Sequence, residues 1–131
     1  MEHEARTTKT LFNAYGRRLL ILGPVTEESL EAIVAFKPQS LVGDHCTKVI
    51  YQSHDSPRWP SDSRILINVH DSLTGIAPIG KGRDCLAICK HYAETPILIR
   101  GEPLIIPADL AVSIPDEGGI HRWSNLQKLK L

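Results

Sequence analysis

The chain has 131 residues, enough for one hydrophobic core but not for two comfortable domains. Fifteen basic residues balance fifteen acidic ones, which excludes a broad field attracting nucleic acid and leaves only a local patch. No apolar run is long enough to span a membrane, and the opening MEHEARTTKT lacks the apolar stretch of a signal peptide, so a cytoplasmic location is the expectation.

Residues 1–9 carry no apolar pattern and are expected to be disordered, a boundary segment of one domain spanning 1–131. Leu19 to Leu22 form an apolar run closed by Gly23-Pro24, which predicts a short strand and a turn. Thr26 is a candidate N-cap, with Glu27 and Glu28 in the first turn, where carboxylates favour the helix dipole. Leu30, Ile33 and Val34 then give a short amphipathic helix over 27–36, which Pro38 is expected to end through its effect on Lys37. A second helix should start near Gln39, with Val42, Cys46, Val49 and Ile50 as its buried stripe. Gly43 would weaken that helix, so close approach by another backbone is expected there. Residues 53–63, SHDSPRWPSDS, have loop composition.

The most telling stretch is RILINVHDSLTGIAP, residues 64–78. Ile65, Leu66, Ile67 and Val69 read as a strand apolar on both faces, as in a covered sheet. His70-Asp71-Ser72 forms a turn, and Leu73 to Ala77 return as a second strand. An aspartate at such a tip is either an ordinary turn residue binding backbone amides or a working group. Its own neighbours do not decide.

Cys85, Ile88, Cys89 and Tyr92 predict one face of a helix over 82–94. Two strands should follow, at about 96–100 and 104–113, joined through Gly101, with Pro107 marking an edge or a break. The tail HRWSNLQKLKL is expected to be partly helical or irregular. Three cysteines, an odd number, suggest reduced thiols packed as small hydrophobes. The element order is that of an α+β fold, with an antiparallel sheet and a central β-hairpin packed against helices.

Four segments, in order, resemble the C-terminal part of the palm of family A DNA polymerases, the family of bacterial DNA polymerase I and many phage replicative enzymes. TLFNAYGRR is similar to the family's Thr-x-Phe-Gly-Arg-Arg segment, with an insertion around Asn13-Ala14 and Tyr15 in place of phenylalanine. EAIVAFKPQSLVGDHCTKVI resembles its helix–proline–glutamine–helix segment, and RILINVHDSL its motif C hairpin, usually Val-His-Asp-Glu. ADLAVSIPDEGGIHRWSNLQKL resembles the closing strand and tryptophan-containing tail. Ser72 departs from the usual glutamate, and Phe36 stands where many members carry an asparagine.

The resemblance implies nucleotidyl transfer, in which two magnesium ions clamp the attacking and leaving oxygens. Asp71 is then the motif C metal ligand and His70 its neighbour at the primer terminus. Gln39 would meet the minor-groove acceptors, which are nearly independent of sequence, while Arg17 and Arg18 would pair with phosphates. The implied partners are primer–template DNA, dNTP and other polymerase segments. The motif A aspartate and the fingers helix, Arg-x3-Lys-x6-Tyr-Gly, have no match. Arg6, Lys9, Tyr15 and Gly16 echo the fingers spacing with each gap one residue short. The chain alone is therefore expected to be inactive. Trp59 and Trp123 are expected to pack rather than stack on bases. A His-Asp hydrolase would be all-helical, which this pattern is not; a non-catalytic α+β module or a degenerate polymerase remnant is the alternative.

Overall fold

A computed structural model describes residues 2–131. Helix α1 (Glu2–Thr8) leads into an antiparallel pair, β1 (Thr10–Phe12) and β2 (Arg18–Leu20). Helix α2 (Glu27–Asp55) is the long central element, followed by the hairpin β3 (Arg64–Val69) and β4 (Ser72–Ile76). Helix α3 (Gly82–Ala93) precedes two more hairpins, β5 (Ile97–Ile99) with β6 (Glu102–Leu104) and β7 (Leu110–Pro115) with β8 (His121–Leu129). The α+β class is as expected, and its strands form four separate two-stranded ribbons.

A disordered boundary is the expectation over residues 1–9, of which Met1 lies outside the described residues. Residues 2–8 are helical, and Ala5 is fully buried against Leu11 and Ile33. Leu19, Ile21, Val25 and Phe36 close around that cluster, so Phe36 is a packing residue here.

The N-terminus of α2 follows the sequence signal. Thr26 Oγ1 accepts from Ser29 N–H at 3.3 Å while Ser29 Oγ accepts from Thr26 N–H at 2.9 Å, a reciprocal capping box. The expected break at Pro38 does not occur: α2 runs through it as one helix of 29 residues. Proline removes the bond to the Val34 carbonyl, yet Pro38 and Val34 both lie on the exposed side of α2. The helix is held on either side of this gap, by Ile33 in the first core and by Leu41, Cys46 and Val49 further on, and tertiary packing overrides the local preference. Of the expected stripe, Cys46 and Val49 are buried and Val42 and Ile50 half-buried. Gly43 has no neighbour within 4 Å of where a Cβ would stand, so close packing is not its reason. The predicted loop at 53 begins only after Asp55.

Helix α3 lays Cys85 and Ile88 against the second half of α2, as its periodicity predicts. Arg100 and Gly101 both have positive φ at the β5–β6 tip, a primed two-residue turn. The expected strand 104–113 is split, with Pro107 in the gap between β6 and β7. The tail is neither helical nor irregular but the nine-residue strand β8. Asp116 Oδ1 accepts from the N–H groups of Gly118 and Ile120 at 3.0 and 2.9 Å, which turns the chain back onto β7. Trp59 packs as expected, against His54, with its Nε1–H on the Ser63 carbonyl. Trp123 does not pack; it is 68% exposed on β8.

Candidate functional site

Val69 pairs with Ser72, which leaves His70 and Asp71 as the two residues of the β3–β4 loop. Both side chains are exposed. His70 has φ +53°, at the first loop position, where glycine is usual, and holding a non-glycine residue in such a conformation costs of order 1–3 kcal/mol. Ser72 Oγ donates to the Val69 carbonyl at 3.0 Å and so staples the loop shut. Ser72 is thus a loop brace rather than an outward ligand.

The strands beneath the tip are not covered as the sequence suggested: Leu66, Ile67, Val69 and Ile76 are all more than half exposed. A bulge between Ile65 and Ile67 bends β3, and Gly75 lies opposite it. A Cβ on Gly75 would stand 2.5 Å from the Arg64 carbonyl oxygen, so this position requires glycine.

The tip lies near α2. Burial pushes the Cys46 thiol up first, and the charge of Asp71 pushes it further, which puts that carboxylate within electrostatic reach of Cys46. Gln39 is seven residues before Cys46, close to the same line along the helix and roughly 10 Å away in rise. Gln39 is exposed there.

Arg17 is engaged with Asp44. Its Nε donates to both Asp44 oxygens, at 2.9 and 3.0 Å, and Nη2 adds a third bond to Oδ1. Asp44 points away from the Gln39–Cys46 line by roughly 140° around α2. Arg17, expected to pair with a phosphate, is a bidentate partner of Asp44 in this structure. Arg18 is exposed on β2, next to it.

No family model, no curated protein and no solved structure matches this chain.

The Arg17 side is held by residues that sequence reasoning did not single out. Asn13, 7% exposed, is the hub. Its Oδ1 accepts from the Tyr15 and Arg17 N–H groups at 3.0 and 2.9 Å; its Nδ2 donates to Asp44 Oδ2 at 2.7 Å and Ser40 Oγ at 3.0 Å. The signal was Asn-x-x-Gly, an Asx-turn pattern at 13–16. His45 Nε2 lies 2.6 Å from the Ala93 carbonyl, which can only accept, so Nε2 carries hydrogen. In the neutral ring Nδ1 then accepts from Tyr15 O–H at 2.8 Å, which ties the β1–β2 turn to the end of α3.

The Arg17 guanidinium, and then Asn13, hold the Asp44 carboxyl below its usual range against the opposing effect of burial. A depressed carboxylate stabilises the fold fully above its unfolded value and loses that contribution as pH falls through the folded value. Stability should therefore fall below pH about 4. Asp44→Asn should be less stable than wild type at pH 7 but show a smaller loss of melting temperature between neutral and acid pH.

Proposed function

We propose that this chain is the C-terminal part of a family A DNA polymerase palm, with Asp71 as a contributed catalytic carboxylate and His70 and Gln39 on the duplex-facing side. The observation that carries the reading is the loop itself: a His-Asp pair held exposed in a two-residue turn between two apolar strands.

The donor set does not make a two-metal site on its own. Ser72 is turned back onto the loop, and among the described residues no three His, Cys, Asp or Glu side chains come together as a metal cage. The second carboxylate would have to come from another polymerase segment, as would the grip on dNTP. The uncovered apolar side chains of β3 and β4 support the same idea, since a lone two-stranded ribbon is marginal in water. No helix among the described residues is long and apolar enough to cross a membrane. Work on DNA in the cytoplasm of a bacterial or phage-infected cell completes the proposal.

Titration with a fully paired DNA duplex tests the proposed face. Binding should be weak, with a shallow salt dependence, because a minor-groove face reaches few phosphates. Gln39→Ala and His70→Ala should each weaken it by several-fold, about 1 kcal/mol per lost hydrogen bond. Arg17→Ala should leave it within twofold. Tight binding with a steep salt slope, indifferent to Gln39 and His70, would place the duplex elsewhere or remove it from this protein's role.

A further inference from the structure

The face of α2 turned away from Gln39 carries its own constellation. Asp44, Thr47, Lys48 and Tyr51 follow at helical spacing and form one stripe. Tyr15 and Arg17, from the β1–β2 turn, face that stripe across an open depression of 640 Å³, within the size range of small-molecule sites. The Lys48 ammonium stands 5.5 Å from the Tyr15 ring centre. Tyr51 is 70% exposed, an aromatic plane with nothing packed over most of it.

Arg17 adds a prepared donor. A guanidinium has five N–H groups, and the bonds to Asp44 are made through Nε and Nη2. Both N–H groups of Nη1 have no partner among the described residues. Asp44, itself fixed by Asn13, thus orients the arginine and leaves its outer edge open, while its side chain is 60% exposed. An oriented guanidinium and a lysine beside the exposed Tyr51 ring match phosphates next to a base with a free face.

We propose that this depression binds single-stranded nucleic acid, with a base stacked on Tyr51 and phosphates on Lys48 and Arg17. Paired bases offer no free face to such a ring, so the ligand is an unpaired strand rather than a duplex. The inference rests on the reading that the chain works on nucleic acid, but it uses none of the hairpin-tip residues.

The test is titration of the full chain with a labelled oligo-dT of about a dozen nucleotides at several salt concentrations. Tyr51→Ala should weaken binding about fivefold or more, and Tyr51→Phe should restore it, because stacking needs the ring and not the hydroxyl. Lys48→Ala should flatten the salt slope by about 0.7, the value for one phosphate contact on a single strand. Both side chains are exposed, so neither variant threatens the fold. Undetectable binding of the oligomer, or binding unchanged in Tyr51→Ala and Lys48→Ala, would overturn the proposal. A paired duplex run in parallel separates the two sites. Oligo-dT binding lost in Tyr51→Ala, with duplex binding indifferent to His70→Ala, would sustain this site and sink the hairpin face; the reverse pattern would do the opposite.

Discussion

Asn13→Ala should lower folding stability by about 2–4 kcal/mol, far more than a typical polar substitution in a turn. The truncation takes the acceptor from two backbone N–H groups, those of Tyr15 and Arg17, and withdraws a donor from Asp44. Asn13 is buried, so water does not simply replace it. Once the turn loosens, Arg17 loses its register on Asp44 and Tyr15 its bond to His45. Chemical denaturation would give the stability change. Near-wild-type stability would mean that the β1–β2 turn is held by its core residues Leu11 and Leu19 instead.

Gly75→Ala should cost about 1–3 kcal/mol, the usual range for forcing extra volume into a filled site. Here the obstruction is main chain: the Arg64 carbonyl oxygen at 2.5 Å and the Ile65 Cα at 3.3 Å. Neither can rotate away, so β3 and β4 must separate beside the bulge. Amide hydrogen exchange should quicken along Leu73–Ile76 while α2 and α3 keep their protection. Unchanged exchange in the hairpin would show that the bulge relaxes freely.

The sequence disclosed most where a local rule and the tertiary demand agreed. Thr26, Glu27 and Glu28 announced the start of α2, and the two apolar runs around His-Asp announced the hairpin, because capping and turn chemistry act over a few residues. Pro38 misled for the opposite reason: its local cost is real, but packing on both sides of it outweighs one missing hydrogen bond on an exposed face. The tail misled because its strand depends on a distant partner: Pro-Asp-Glu-Gly-Gly before it is a turn signal whose aspartate folds β8 back onto β7.

Position along the chain located the hairpin tip but could not say which side of α2 Gln39 or Arg17 faces. Arg17 was grouped with the tip because it is cationic and lies in a matching segment. Its partner Asp44 lies 27 residues further on, and no short-range pattern links the two. Ser72 had the same ambiguity until its bond to Val69 assigned it to the loop.

A transplanted hairpin tests whether Asp71, as proposed, is a catalytic carboxylate on loan to a larger polymerase site. Residues Arg64–Ile76 would replace the motif C hairpin of an active family A polymerase, with folding checked by thermal melting. The isolated chain should not extend a primer, but the folded chimera should do so in magnesium. Asp71→Ala within the chimera should reduce extension by about a hundredfold or more, the scale at which one electrostatic stabiliser of a transition state is felt. A folded chimera with no extension, or one whose activity survives Asp71→Ala, would contradict the account.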